Sequence, residues 1–160
     1  KQAVRPLFTP RVDLAELAGL VAAEFSDVHG RLQVDVLAPA RIEGDVDALG
    51  IALRNLIDNA LKHGGAATNV RVQVGPGFVS VVDDGPGVPP ETLPTLTKPF
   101  ERGTSAAEGS GLGLAMVQTI AHQSNATLEL RSPLVDGRGF AATLRFGAAP
   151  AASASDAPTS

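Results

Sequence analysis

Two short turn sequences constrain the fold of this chain more than any other feature. Gly75-Pro76-Gly77 separates two apolar runs with the composition of β-strands, and Asp136-Gly137 lies between two more. The four runs are residues 70–74, 78–82, 126–131 and 140–146. Connections this short join antiparallel neighbours, because parallel strands need a crossover of a dozen or more residues. The sequence therefore predicts two hairpins and excludes a fully parallel, doubly wound sheet.

Three further segments have the periodicity of helices: residues 13–25, 45–63 and 112–123. Asp13 is the expected N-cap of the first helix, and Gly64-Gly65 ends the second. In the first helix, apolar side chains recur at helical spacing: Leu14, Leu17, Leu20, Val21 and Phe25. Residues 4–8 and 32–36 have strand character, and 41–43 is expected to be a short partner strand. The order of elements predicts a two-layer α/β sandwich with a mixed, mostly antiparallel sheet. About three helices cover one face, and the other face is exposed or lightly covered.

Composition narrows the functional classes. Hydrophobic residues make up 44% of the 160, which is enough for one folded domain with a real core. The net charge of −4 disfavours a nucleic-acid surface, and the absence of cysteine excludes disulfides and thiolate zinc sites. No run has membrane-spanning length and no signal peptide is present, so we expect a soluble, cytoplasmic domain. Lys1 is not a typical native start, which is compatible with a longer, membrane-anchored parent.

The domain boundaries follow from the same patterns. Residues 1–10 are interpreted as the end of a linker and the first strand, and 4–147 as the folded domain. Residues 148–160 are rich in Ala, Ser and Pro, so they are expected to form a disordered tail.

The second helix carries a polar stripe. At about 100° per residue, Asn59 and Lys62 fall close to Asn55 on the helical wheel, opposite the apolar arc. The stripe is therefore predicted to face away from the core, and a solvated helix face is the simplest interpretation. Asparagine is a poor helix former, however, which suggests that its amide oxygens serve a purpose. Two amide oxygens one turn apart can hold Mg²⁺, and Lys62 beside them can meet phosphates.

Two glycine clusters frame a polar segment. Asp83-Asp84-Gly85-Pro86-Gly87 follows a strand and is either a surface turn or a base-binding loop. In the second interpretation, Asp83 accepts a hydrogen bond from the amine of adenine, and the glycines let the backbone approach the base. Asp84 is interpreted as a surface acid, and so is Asp58 in the second helix.

The second cluster, residues 109–113, precedes a helix whose N-terminal amides can bind phosphate. The alternative is a flexible loop that happens to end in glycines. The cluster is neither a dinucleotide fingerprint, because the βαβ context is missing, nor a P-loop.

In this order, the motifs resemble the GHKL superfamily of ATP-binding proteins, which includes histidine kinases, type II topoisomerases, heat-shock chaperones and mismatch-repair ATPases. The strongest resemblance is to the catalytic ATP-binding domain of bacterial sensor histidine kinases. LRNLIDNALKH (residues 53–63) is similar to the N box, VVDDGPGVP (81–89) to G1, KPFERG (98–103) to the F box and GSGLGL (109–114) to G2. The resemblance spans residues 4–147 and implies a Bergerat-type fold. The F box separates the kinases from the topoisomerase and chaperone branches.

The resemblance implies a role for each matching residue. Asn59 would coordinate Mg²⁺ with Asn55 beside it, and Lys62 and His63 would contact phosphates. Arg102 would reach the terminal phosphate from a lid spanning about residues 90–110, mobile without nucleotide. For His63, the simpler alternative is a histidine at the end of a helix that interacts favourably with the helix dipole. For Arg102, it is a charged lid residue that is merely solvated.

The remaining roles concern the base and the lid. Asp83 would read adenine, and Gly85 and Gly87 would shape the base pocket. The hinge of the lid and the phosphate cradle would be formed by Gly109, Gly111, Leu112 and Gly113. Three departures from the family pattern stand at Thr97, at Phe140 and at Asn125-Ala126, where an aromatic residue, a hydroxyl and glycines are usual.

The resemblance also implies an activity and partners. The chain would be a protein-histidine kinase domain that positions Mg-ATP for γ-phosphoryl transfer. His29, His63 and His122 all lack the context of a phosphoacceptor, so the acceptor would lie on a dimerisation domain outside this chain. A response regulator would be the next partner, the isolated domain would be monomeric, and the parent would be a homodimer in the bacterial inner membrane. Two alternatives stay open: a GHKL ATPase that drives conformational change, disfavoured by Asn55 where a catalytic glutamate is needed, and a degenerate regulatory domain.

Overall fold

The computed structural model describes residues 11–25, 30–64, 68–97 and 110–146, with the backbone alone at 63–64 and 110–113. Several predictions fall on residues outside these ranges: the strand at residues 4–8, the roles of Arg102 and Gly109, and the C-terminal tail. So does most of the predicted lid.

A five-stranded mixed sheet forms one layer, in the order β2-β4-β5-β7-β6. Only the β2–β4 pair is parallel, and the other three pairs are antiparallel. The strands are β2 (Leu32–Val36), β4 (Val70–Gly75), β5 (Phe78–Asp83), β6 (Ala126–Arg131) and β7 (Phe140–Phe146). The predicted mixed, mostly antiparallel α/β sandwich is confirmed, and both predicted hairpins are present.

Both turns have the backbone that their residues favour. Gly77 has φ of +74°, and Asp136 and Gly137 have φ of 53° and 74°. Glycine adopts positive φ without steric cost, and aspartate is one of the few other residues that tolerates it.

Three helices cover one face of the sheet: α1 (Leu14–Ala23), α2 (Val46–Gly64) and α3 (Ser110–Gln123). Asp13 caps α1, because its Oδ1 accepts from the backbone N–H groups of Ala15 and Glu16. Asp45 caps α2 in the same way. The helices bury apolar side chains against alternate strand residues, and the fully buried members include Leu53, Leu56, Ile57, Val72, Val81, Val117 and Leu144.

The start of the domain differs from the prediction. Residues 41–43 do form a strand, β3 (Arg41–Glu43), but it pairs with β1 (Arg11–Asp13) in a separate two-stranded sheet. The strand β1 was not predicted, and a strand of three residues is too short for periodicity to reveal its partner. Helix α1 ends at Ala23, two residues earlier than expected, and Leu20 is 62% exposed although its spacing placed it on the buried arc.

The segment before α3 also differs. A 3₁₀ helix, Pro90–Thr95, follows β5, and α3 begins at Ser110, so Gly111 and Gly113 lie in its first turn. Glycine is tolerated there because the helix is secured by its buried residues Leu114, Val117 and Ile120. After α3, Asn125 adopts φ of 58°, the left-handed position in which glycine was expected. No helix in the described ranges is both long and apolar enough to cross a membrane.

Candidate nucleotide-binding site

A cavity lies where α2, the end of β5 and the start of α3 meet. Its walls come from these elements, from the loop after β5 and from the first residue of β7. The lining residues are Asn59, Asp83, Pro86, Gly87, Val88, Leu96, Leu114 and Phe140. The structure thus brings Asn59 of the N box and four residues of the G1 box onto a single cavity: Asp83, Pro86, Gly87 and Val88.

Asn59 supplies the most unusual atom of this cavity. The residue is 8% exposed, and its Oδ1 is buried and accepts no hydrogen bond from any residue in the described ranges. A buried polar atom without a partner costs on the order of 1–3 kcal/mol. Such an atom is a site at which a cation or a donor group of a ligand would restore the lost interaction.

The prediction that Asn55, Asn59 and Lys62 form one outward-facing stripe is wrong. Asn59 faces inward because α2 packs against both α1 and α3 as well as the sheet, so its buried arc is wider than the apolar residues suggest. Lys62 is exposed and pairs with Asp58 at 3.1 Å, and Asn55 donates from Nδ2 to Sδ of Met116 at 3.6 Å. Neither Asn55 nor Lys62 lines the cavity.

Asp83 supplies the second polar wall. It is the last residue of β5, it is 5% exposed, and it stands between Val70 and Phe140 in the sheet register on the helix-covered face. Its Oδ1 accepts a hydrogen bond from the backbone N–H of Gly85 at 2.8 Å. This bond orients the carboxylate at the point where the strand turns into the loop.

The loop after β5 is held by the connection between β6 and β7. The backbone N–H of Gly139 donates to the carbonyl oxygen of Gly85 at 2.8 Å. Gly87 has φ of +75°, and a Cβ there would lie 2.7 Å from the carbonyl oxygen of Gly139. Gly87 does line the cavity, but the close approach that requires glycine is made by the backbone of Gly139 and the hydroxyl of Ser132.

Asp84 is exposed, as predicted, and has a structural partner. Its carboxylate accepts from the backbone N–H of Asn69 at 2.9 Å and from the side-chain amide of Asn69 at 3.2 Å. These bonds, the backbone one first, hold the pKa of Asp84 below its ordinary value, with a smaller contribution from the charge of Arg138. Asp84 therefore ties the end of β5 to the segment before β4.

A larger cavity, about 640 Å³, lies on the open face of the sheet. Three arginines line it, and each has a protein partner: Arg31 donates to the carbonyl oxygen of Thr68, Arg71 pairs with Asp35, and Arg138 donates to the carbonyl oxygen of Asp84. Three aspartates also line this cavity: Asp83, which it shares with the smaller cavity, Asp84 and Asp136. Because its arginines are already engaged by protein partners, this cavity has the character of a solvated sheet face. The smaller cavity is the better candidate site because it contains the unpaired oxygen of Asn59.

Several contributors were not predicted from sequence. Leu96 and Leu114 form apolar walls, and Ser132 and Gly139 hold the loop. Gly139, directly before a strand, was the only local signal among them. Predicted residues 111–113 and His63 are described by backbone alone, at the start of α3 and the end of α2. No cluster of three or more His, Cys, Asp or Glu side chains that could hold a metal occurs within the described ranges.

Phe140, the first residue of β7, forms part of the cavity wall. The residue that stands where a hydroxyl was expected is 8% exposed and lines the cavity beside Asp83. The wall at this point is therefore aromatic.

Known proteins are similar to this chain in sequence and in fold. Residues 44–150 match the family model described as histidine kinase-, DNA gyrase B-, and HSP90-like ATPase. Sensor histidine kinase GtrS of Pseudomonas aeruginosa is 37% identical over 123 residues, which are 76% of this chain and 26% of that protein. Sensor-type histidine kinase PrrB of Mycobacterium leprae is 36% identical over 138 residues, 79% of this chain and 30% of that protein.

Solved structures of histidine kinases have a similar fold. The mycobacterial sensor histidine kinase MprB superposes with a TM-score of 0.69 at 28% identity, over 85% of this chain and 95% of that one. The catalytic domain of histidine kinase ThkA superposes with a TM-score of 0.71 at 21% identity, over 85% and 94%, and supports the fold alone. The chain spans less than a third of the two curated relatives. It is homologous to the catalytic ATP-binding domains of sensor histidine kinases, and it belongs to the histidine kinase-, DNA gyrase B-, and HSP90-like ATPase family.

Proposed function

We propose that this chain is the catalytic domain of a sensor histidine kinase and binds Mg-ATP in the cavity between α2, β5 and α3. The observation that carries the proposal is that two buried polar side chains line one cavity: Asp83 at the end of β5, and Asn59, whose Oδ1 has no hydrogen-bond partner among the described residues. The family match and the named relatives support it.

The base would lie against the loop after β5. The Asp83 carboxylate accepts hydrogen bonds, so it favours the exocyclic amine of adenine over the oxygen that guanine carries at that position. Val88, Leu96 and Phe140 offer apolar contact for the rings. Gly85 and Gly87 keep the backbone within reach of the base.

The phosphates and the metal would lie toward Asn59. An amide oxygen that is buried and lacks a donor fits a hard cation, so Asn59 would hold Mg²⁺, with Asn55 one turn away. When bound, Mg²⁺ would neutralise part of the phosphate charge. Lys62 would have to leave its surface ion pair with Asp58 to contact a phosphate, a change that costs little for an exposed pair.

The ends of α2 and α3 would complete the site. Backbone N–H groups at the start of α3, around Gly111, Leu112 and Gly113, would donate hydrogen bonds to phosphate oxygens. His63 at the end of α2 would contact phosphate as well. Gly109 would hinge a lid that carries Arg102 toward the terminal phosphate.

Phosphoryl transfer needs positioning and charge stabilisation more than covalent chemistry from the protein. In this proposal the domain presents the γ-phosphate to a histidine of a dimerisation domain outside this chain, and a response regulator receives it next. The parent protein would be a homodimer of the bacterial inner membrane with this domain on the cytoplasmic side.

A calorimetric titration tests the proposal. The chain is expected to bind ADP more tightly in the presence of Mg²⁺ than in EDTA, and to bind GDP at least tenfold more weakly, on the scale of one charged hydrogen bond, about 1.5–3 kcal/mol. Equal affinity for ADP and GDP would contradict the role of Asp83, and no binding of either nucleotide would contradict the proposed function.

A further inference from the structure

We infer that Ser132 is a positioning residue for the adenine site, although it does not line the cavity. This inference rests on the proposed function. Ser132 follows β6, is 6% exposed, and uses its hydroxyl in two hydrogen bonds at once. Oγ donates to the carbonyl oxygen of Gly139 at 2.6 Å and accepts from the backbone N–H of Val88 at 2.9 Å.

The two bonds join two different loops. Val88 belongs to the loop after β5 and lines the candidate site, whereas Gly139 belongs to the connection between β6 and β7. A single hydroxyl can donate and accept together, and serine is the smallest side chain that can do so. Ser132 thus satisfies one backbone group of each loop and fixes the distance between them.

The connection continues to the carboxylate that would read the base. The N–H of Gly139 donates to the carbonyl of Gly85, and the N–H of Gly85 donates to Oδ1 of Asp83. Ser132, Gly139, Gly85 and Asp83 therefore form one chain of hydrogen bonds. A shift of Gly139 would move the loop that orients the Asp83 carboxylate.

The packing around Gly87 leaves little room for the loops to move. A Cβ at Gly87 would lie 2.8 Å from Oγ of Ser132, and a Cβ at Gly139 would lie 3.2 Å from the carbonyl oxygen of Asp83. Because the two loops are in contact at this closeness, the hydroxyl sets their relative position rather than merely filling space.

The consequence is a specific effect on nucleotide recognition. Ser132→Ala leaves the N–H of Val88 and the carbonyl of Gly139 without their partner in a buried position. The loop then loses its fixed position, so the ADP affinity is expected to fall about tenfold. The preference for ADP over GDP is expected to narrow as well, because the Asp83 carboxylate is no longer held in one orientation.

Ser80 offers a matched control. It is also 6% exposed, and its hydroxyl bonds that of Thr143 at 2.8 Å in the same sheet, away from the cavity. Ser80→Ala and Ser132→Ala both remove one buried hydroxyl, so both are expected to lower the melting temperature. Only Ser132→Ala is expected to change nucleotide affinity and selectivity.

The experiment measures ADP and GDP dissociation constants in Mg²⁺ and melting temperatures for wild type, Ser132→Ala, Ser132→Thr and Ser80→Ala. The inference is supported if Ser132→Ala binds ADP more weakly and less selectively while Ser80→Ala binds like wild type. Recovery of ADP affinity in Ser132→Thr, which keeps the hydroxyl, also supports it. Unchanged affinity and selectivity in Ser132→Ala, or an equal loss of affinity in Ser80→Ala, overturns it.

If Ser132→Ala does not fold, Ser132→Cys decides, because a thiol forms weaker hydrogen bonds in nearly the same space. Intermediate selectivity then supports the inference, and wild-type selectivity overturns it. Wild-type protein that binds neither nucleotide overturns the proposed function itself and the inference with it, whereas failure of the Ser132 effect alone leaves the proposed function standing.

Discussion

The two faces of the five-stranded sheet treat their polar side chains differently. On the open face, polar residues pair with one another across strands: Arg71 with Asp35 at 3.0 Å, Arg145 with Glu129 at 3.0 Å, and Ser80 with Thr143 at 2.8 Å. On the helix-covered face, the strand residues are apolar except at the end of β5, where Asp83 faces Asn59 across a cavity. The Oδ1 of Asn59 accepts no hydrogen bond within the described ranges.

In the proposed function, this contrast separates polar groups that stabilise the sheet from polar groups that bind the nucleotide. Paired groups on the open face satisfy one another, so replacing them changes stability modestly and recognition not at all. A buried group with unsatisfied capacity is retained at a cost to stability, which is typical of a site that completes its bonding with a ligand. The contrast leads to four predictions, ordered from the largest expected effect to the smallest.

The largest effect is expected from Asp83→Asn. The amide keeps one oxygen for the N–H of Gly85 but replaces the other oxygen by a donor, which opposes the amine of adenine. ADP affinity measured by calorimetry is expected to fall roughly 10- to 100-fold, the scale of a hydrogen bond to a charged group. Asp35→Asn, an aspartate on the open face, is the control and is expected to bind ADP like wild type.

Asn59→Ala is expected to weaken Mg²⁺-dependent binding without weakening the fold. The substitution removes the orphan oxygen, and alanine is a better helix former by up to about 0.7 kcal/mol. The melting temperature should therefore stay level or rise, while the gain in ADP affinity on adding Mg²⁺ disappears. Asp58→Ala, on the exposed side of α2, is the matched control and should retain the gain. A lower melting temperature together with unchanged Mg²⁺ dependence would assign Asn59 a purely structural role.

The hydroxyl pair of Ser80 and Thr143 on the open face should affect stability and leave nucleotide binding unchanged, the opposite of Asn59. Ser80→Ala leaves Oγ1 of Thr143 without its partner, so urea unfolding is expected to show a loss of about 1 kcal/mol. Adding Thr143→Val removes the orphan, and the double variant is expected to recover part of that loss. Any effect of these variants on ADP affinity would break the proposed separation of the two faces.

The smallest effect concerns pH and Asp84. Its pKa in the folded protein lies below the ordinary value of 3.8, because Asn69 donates to the carboxylate. The carboxylate therefore adds to the free energy of unfolding above about pH 4, and the contribution is lost as the pH falls through the folded pKa. The side chain is exposed, so we expect less than about 1 kcal/mol between wild type and Asp84→Asn at neutral pH. If the difference in free energy of unfolding between wild type and Asp84→Asn grew as the pH falls, it would contradict a lowered pKa of Asp84.

Much of the fold was predictable because its signals are local. Turn residues revealed both hairpins, and Asp13 marked the start of α1 through the side chain that caps it. The pairing of β3 with β1 was not predictable, because three-residue strands show no period and their partner is set by tertiary packing. Helical spacing also did not reveal the exposure of Leu20, which depends on what packs against that side of α1.

The candidate site was predictable in its motifs and less so in its geometry. Asn59 and Asp83 were identified from sequence, but the orientation of Asn59 was not, because a helical wheel cannot show that α2 is covered on two sides. The role of Ser132 could not be predicted from the sequence. A lone serine after a strand has many uses, and its partners, Val88 and Gly139, lie 44 and 7 residues away.

Nuclear magnetic resonance mapping tests the central claim most directly. The ¹⁵N-labelled chain is titrated with Mg-ADP, and amide shifts are compared between the two faces of the sheet. We expect the largest shift changes at Gly85, Gly87 and Val88, with Gln33, Arg71 and Gln73 on the open face nearly unaffected. Shift changes concentrated at Gln33, Arg71 and Gln73, with unchanged shifts in the loop after β5, would place the nucleotide on the open face and contradict the proposed site.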